Sequence, residues 1–194
     1  MLFFDPPLFH LLNASPRSPL WLIQSARFAS QWLPALCALP VIAGLLAMGK
    51  SWRRTVQMAL LSMALAWLAC RVVRWGFPMP RPAQLGMGTQ WIAHGNSASF
   101  PSMHAAGAFA LALSLTLSVG RHQRLLVTVV WLLAVAVALS RVILGVHFPS
   151  DIMAGMLVGS LSALGISSAA RWFAQRHPHL SATAVLAEGQ LPIK

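Results

Sequence analysis

Apolar residues run almost unbroken through five stretches of this chain, at residues 31–48, 55–73, 102–119, 125–144 and 152–173. Hydrocarbon gives backbone amides nothing to bond to, so a crossing segment must satisfy its own as a helix of about 20 residues. Each stretch is therefore predicted to be a membrane span. Ahead of them, residues 7–13 and 19–30 mix Phe9, Leu11, Leu12, Trp21, Leu22 and Ile23 with Arg17, Gln24 and Arg27. That mixture suits helices lying at the interface, with the same region a candidate for a sixth span. The expected fold is an all-α integral membrane protein: a bundle of five, or at most six, transmembrane helices behind N-terminal interfacial helices. Residues 1–30 are expected to form the interfacial segment, 31–173 the transmembrane bundle and 174–194 a cytoplasmic tail.

Composition sharpens this picture. Of the 194 residues 57% are hydrophobic and only 9% charged, against about a quarter charged in an ordinary soluble domain. Fourteen Lys and Arg face three acids, a net charge of +11 that points to a membrane surface or an anionic substrate before nucleic acid. The acids, Asp5, Asp151 and Glu188, are too few for a two-carboxylate mechanism or an all-carboxylate metal cage. Cys37 and Cys70 sit inside apolar runs and read as packing residues. The opening residues 1–9, with Asp5, Pro6 and Pro7, lack the basic start and cleavage site of a secretory signal, so the whole chain is expected to be retained. Lys50, Arg53 and Arg54, then Arg121 and Arg124, then Arg171 and Arg176 should share one side of the membrane, the cytoplasmic one by the positive-inside rule. Arg74, Arg81 and Arg141 fall on the other side and call for a local reason.

Three clusters meet on that second face. In the first, Arg74 and Arg81 flank a run containing Pro78 and Pro80, with Pro82 following, so both guanidiniums are expected on a stiff extended connection, where they could converge on one anion or snorkel to lipid phosphates. In the second, Ser99 is a candidate N-cap and Pro101 a first-turn residue, which would place Ser102 and His104 among free N–H groups that attract a phosphate. The third runs from Ser140 and Arg141 through His147 to Asp151. His147 and Asp151, four residues apart across a turn opened by Pro149, can face one another, the carboxylate accepting one ring N–H and freeing the other nitrogen as a nucleophile. An acid placed so near the membrane core is costly without a partner.

Arg74-x6-Arg81-Pro82, Pro101-Ser102-Met103-His104 and Ser140-Arg141-x5-His147-x3-Asp151 together resemble the tripartite signature of the type 2 phosphatidic acid phosphatase (PAP2) superfamily, which also contains soluble vanadium haloperoxidases. The third motif alone would arise by chance in a chain this long on the order of once in a thousand. Two positions depart from the family pattern. Arg74 replaces the usual Lys and keeps the charge. Met103 replaces the usual Gly and puts a long apolar side chain at the substrate entrance, which bears on headgroup size more than on catalysis.

The resemblance implies that His147 attacks phosphorus, oriented by Asp151, and that His104 protonates the departing oxygen and later activates water. It implies too that Arg74, Arg81, Ser102 and Arg141 hold the non-bridging oxygens, with no metal and no other cofactor. Within the superfamily, the segments 8–14 and 19–21 and the run 140–147 are similar to bacterial bacitracin-resistance-type undecaprenyl-diphosphate phosphatases. That implies hydrolysis of undecaprenyl diphosphate at the outer face of a bacterial inner membrane, with membrane lipids and a lipid phosphate or diphosphate as the partners. A phosphatidylglycerophosphate or phosphatidic acid phosphatase, a lipid A 1-phosphatase or phosphotransferase, and an anion-conducting protein remain open on sequence alone.

Overall fold

Prolines and polar residues mark where the helices begin and end. A computed structural model describes residues 2–34, 49–95, 97–120 and 123–177. Among them are six α-helices, α1 (Asp5–Leu12), α2 (Leu20–Gln31), α3 (Lys50–Gly76), α4 (Met103–Ser118), α5 (Arg124–Ile143) and α6 (Pro149–Arg176), with one 3-10 turn at Pro82–Leu85. The fold is all-α. Prolines lie in the first turns of α1 and α6, where the missing N–H costs nothing and the fixed φ suits a helix start.

Trp52–Gly76, Arg124–Ile143 and Pro149–Arg176 are long and apolar enough to cross a bilayer; α4, at 16 residues, is apolar but shorter. The stretch expected as the first span lies, beyond residue 34, outside the described residues. Helix α2 has 12 residues, about 18 Å, and so falls short of a sixth span by itself.

Helix α4 is central, touching α3, α5 and α6, while α2 packs on α5 and α3 also meets α6. Its position follows from its sequence: Ala105, Ala106, Phe109, Ala110, Leu111, Ala112, Ser114 and Leu115 are buried on nearly every side of it. The outer helices are one-sided. Helix α3 buries Ala59, Ser62, Ala66 and Cys70 and leaves Leu60, Leu61, Trp67 and Leu68 exposed, the arrangement of a helix whose far side faces lipid.

Close approach of α6 to α4 depends on Gly155, Gly159 and Ala163, buried and spaced four apart on one stripe. A Cβ on Gly155 would lie 2.5 Å from the Ser102 carbonyl oxygen, and one on Gly159 would lie 2.2 Å from that of Ala106. Both obstacles are backbone. Small residues at such a seam let two helix backbones pack directly, the main source of association where lipid is as apolar as the side chains. The consequence reaches the helix ends, because Ser102 N–H donates to the Asp151 carbonyl at 2.9 Å and joins the N-termini of α4 and α6. At the opposite end, Arg54 of α3 shares a cavity with Phe173 and His177 beyond the middle of the bundle.

Gly159→Leu should therefore force α4 and α6 apart. We expect a fall of several degrees in the melting temperature of the detergent-solubilised protein, about 1–3 kcal/mol of overpacking, together with loss of turnover. Ser160→Leu, on a less crowded position of the same helix, serves as the control, and equal melting temperatures for the two variants would contradict this account of the seam.

Candidate active site

Arg74 lies in the last turn of α3, inside the helix and not on the extended connection that the nearby prolines suggested. Helix formation simply persists to Gly76, two residues before the first proline. A cation there favours the negative end of the helix, and its guanidinium is aimed by carbonyls: Nε and Nη2 donate to Pro101 O at 3.1 and 2.8 Å, and Nη2 reaches Ser99 O at 3.4 Å. Arg81, by contrast, is on extended backbone, pinned where its own N–H donates to Gln84 Oε1 at 2.7 Å. Its guanidinium is buried and donates to Ser97 O, Ser97 Oγ, Ala98 O and Val146 O at 2.8–3.2 Å.

The start of α4 differs from expectation by one turn. Ser102, not Ser99, is the N-cap, its Oγ accepting from Ala105 N–H at 3.5 Å. Pro101 has no N–H to be capped, and Ser102 is still extended (φ −71°, ψ 114°), so the first free amides lie within its reach instead. This releases Ser99 for another role. Fully buried, it donates a short hydrogen bond to Asp151 Oδ2, and its Oγ lies 3.2 Å from His147 Nδ1.

Asp151 stands at the third position of α6 and reaches back to accept from the Phe148 N–H at 2.8 Å. The same oxygen is 3.2 Å from His147 Nδ1. The ring's other nitrogen, Nε2, lies 3.4 Å from Arg81 Nη1. A guanidinium only donates, so Nε2 must carry a lone pair, which leaves the proton on Nδ1 facing the carboxylate. Gly145 lets the chain turn sharply into this segment: its φ is +74°, and a Cβ would lie 2.2 Å from the Thr89 carbonyl oxygen. Burial pushes the His147 imidazole down to about 4, against the opposing pull of its hydrogen bond to Asp151. The ring is thus neutral at physiological pH. Burial and the neighbouring Arg74 bring Arg81 down to about 10, where it keeps its charge.

Arg141, in the last turn of α5, is buried and donates to Ser30 Oγ from Nη1, while its Nε is buried with no partner among the described residues. A buried donor of this kind is what an oxyanion would satisfy. His104, in the first turn of α4, lines a cavity of about 660 Å³ together with Arg74, His94, Ser97, Met103 and His147. Met103 and His104 also form part of the wall of a second, apolar cavity of about 490 Å³ between α3, α4 and α5, among Met63, Trp67, Leu111 and Val137.

The structure therefore brings Arg74, His104 and His147 onto one cavity, with Arg81 and Asp151 directly behind His147. Ser102 is buried at the helix cap and is not among that cavity's lining residues. Three residues of this region are not marked by the sequence motifs. Ser99 reads there as a cap. His94 stands in a loop without a motif, yet its ring meets that of His147 edge-on at 6.3 Å, and burial with the charges of Arg81 and Arg141 lowers it to about 4. Asp5 is a second buried carboxylate close to the site, where the sequence pointed to Asp151 alone: it accepts from Ser150 N–H at 2.9 Å and Ser150 Oγ at 2.6 Å. An acid between aromatic residues and two prolines was the available signal for it.

Comparison with known proteins bears on the family and the fold. The PAP2 superfamily model matches residues 55–175. The Escherichia coli (strain K12) protein named "Putative undecaprenyl-diphosphatase YbjG" is 34% identical over 175 residues, 88% of this chain and 83% of that protein. Among solved structures, Aquifex aeolicus LpxE superposes with a TM-score of 0.68 at 23% identity, over 85% of this chain and 95% of LpxE. The transmembrane PAP2-type phosphatidylglycerolphosphate phosphatase of Bacillus subtilis gives 0.67 at 21% identity, over 86% of this chain and 84% of its own. At these identities the two structures speak for the fold.

The Ser99 hydroxyl makes the sharpest local prediction. Ser99→Ala removes one donor from Asp151 and one contact from His147, so kcat should fall about tenfold with KM little changed. Steady-state phosphate release by purified protein measures both, and a variant with unaltered kcat would show that the hydroxyl only fills space.

Proposed function

The chain belongs to the PAP2 superfamily and is a membrane lipid phosphatase, and from that premise we propose that it hydrolyses undecaprenyl diphosphate to undecaprenyl phosphate and inorganic phosphate through a phosphohistidine. The observation that carries the lipid reading is the pair of cavities sharing Met103 and His104, one lined by cations and imidazoles, the other apolar and running between helices. A phosphate head in the first and an isoprenoid tail in the second would occupy both. The 34% identity to the Escherichia coli relative supports the diphosphate over the phosphatidylglycerophosphate and lipid A alternatives.

In the proposed reaction the Nε2 lone pair of His147 attacks the terminal phosphorus, and the bond from that phosphorus to the bridging oxygen breaks. His104 gives the departing oxygen its proton. In the second half His104 takes a proton from water, whose oxygen attacks the phosphohistidine; the P–N bond breaks, phosphate leaves and His147 returns to neutrality. Asp151 holds the Nδ1 proton throughout and stabilises the ring as it gains charge. Arg74, Arg81 and Arg141 supply donors to the non-bridging oxygens, on which charge is spread through the in-line transition state, while Ser102, its N–H given to Asp151, fixes the start of α4 beside them.

The decisive assay is phosphate release in detergent, with EDTA present, from undecaprenyl diphosphate, phosphatidylglycerophosphate, phosphatidic acid and lipid A 1-phosphate. The diphosphate should give the highest kcat/KM, and preference for any of the others would replace this substrate. His147→Ala should lose at least about 1,000-fold in rate. His104→Ala should still form phosphoenzyme from a substrate whose leaving group needs no proton, and should stall in its hydrolysis.

The proposal places the active face outward, with residues 74–101 and 145–150 outside and Arg53, Arg54, Arg171 and Arg176 in the cytoplasm. After replacement of Cys37 and Cys70, single cysteines at Gly88 and Arg121 should differ in intact cells: a membrane-impermeant thiol reagent should label position 88 and spare 121. The reverse pattern would move the substrate to the inner leaflet.

A further inference from the structure

Three guanidiniums are well matched to one phosphoryl group. Arg81 commits Nε and Nη2 to Ser97 and Ala98, and Arg74 commits Nε and Nη2 to Ser99 and Pro101. What is left for a ligand is Nη1 of Arg74, Nε and Nη2 of Arg141, and the one N–H of Arg81 Nη1 that is not given to Val146 and now faces His147. Those donors suit the three non-bridging oxygens of a terminal phosphate. A lipid diphosphate brings a second phosphate, and its charge of up to about −3 exceeds what three guanidiniums less one carboxylate balance.

A fourth cation stands on the same wall. Arg71 precedes Arg74 by three residues, hence on the same side of α3, and it lines the cavity that holds Arg74, His94, His104 and His147. Its guanidinium makes no hydrogen bond among the described residues and lies 5.2 Å from the ring centre of Trp67. Trp67 in turn lines the apolar cavity. Arg71 is therefore at the junction where head meets tail, the place that the non-transferred phosphate of a lipid diphosphate would take. His94 lines another wall of the same cavity, its ring engaged by the Gly95 backbone.

We propose that Arg71 forms a second anion subsite that binds the phosphate remaining on the lipid and so selects diphosphate over monophosphate substrates. When the bond between the terminal phosphorus and the bridging oxygen breaks, that oxygen takes its proton from His104 and stays with the lipid phosphate, whose remaining charge lies beside Arg71. A monophosphate has no group at this position. The inference rests on the diphosphate reading above but is tested apart from it.

Arg71→Gln and Arg71→Lys should be assayed with farnesyl diphosphate and farnesyl monophosphate, which share one tail. Arg71→Gln should lower kcat/KM for the diphosphate about tenfold or more and leave the monophosphate within about twofold, with Lys restoring part of the loss. If the wild-type protein cleaves both substrates, and Arg71→Gln slows both equally or neither, the subsite is overturned while the substrate reading stands. If the wild-type protein cleaves the monophosphate and leaves the diphosphate intact, the substrate reading falls and the subsite with it.

Discussion

One carboxylate oxygen organises this molecule. Asp151 Oδ2 accepts from Ser99 Oγ, from the Phe148 backbone and from His147 Nδ1, all out of contact with water. A buried charge is tolerable only where it is both paired and hydrogen-bonded, and here the pairing is collective. Arg81 sits close enough for its attraction to Asp151 to offset part of its own burial. Without the carboxylate, His147 would lose the acceptor that fixes its tautomer, and the guanidiniums would repel one another with no opposing charge nearby. Breaking one member of such a buried set typically costs about 3–5 kcal/mol, a large share of any protein's stability. The same contacts that hold the fold at this end fix the tautomer and orientation of His147.

That oxygen can collect its donors only because the helices that carry them come unusually close. Ser99 leads into α4, His147 leads into α6, and Arg81 belongs to the connection after α3. The glycine and alanine stripe of α6 against Ala105, Ala106 and Ala110 of α4 sets the distance between the first two. Residues with no chemistry of their own thus decide whether the chemical residues meet. Packing deep in the bundle and catalysis at its end are one structural problem.

Much of this was legible in the chain. Helices were readable because runs of about 20 apolar residues have few other uses, and the motif residues were readable because charge near a membrane core needs a purpose. The errors share a cause. Placing Ser99 at the cap and Arg74 on an extended segment used local rules, and in each case a contact distant in sequence decided otherwise: Ser99 is drawn to Asp151, 52 residues away, and Arg74 to Pro101, 27 away. His94 gave no local signal whatever, since its position is fixed by the folding of the loop over the site.

The N-terminal helices show the same limit most clearly. Their mixed composition suggested a peripheral segment resting at the interface, and the family model itself begins only at residue 55. Yet Asp5 holds Ser150, the neighbour of Asp151, while Asn13 donates to Thr89 O and Ile143 O and accepts from the Thr89 N–H. Arg27 donates to Trp91 O at 2.7 Å, and Ser30 meets Arg141 itself. Ser150 adjoins Asp151 and Arg141 is itself a candidate site residue, while Thr89, Trp91 and Ile143 lie on the connections and the helix end nearby. A polar residue in a short helix can lie toward water or toward a buried partner, and hydropathy assigns both the same value. The distinction is one of geometry: Asp5 and Ser30 are buried and Arg27 half-buried against distant partners, while His10, Gln24 and Gln31 of the same two helices are exposed, so that a few polar residues of the segment least like the rest of the bundle brace the loops around the candidate site.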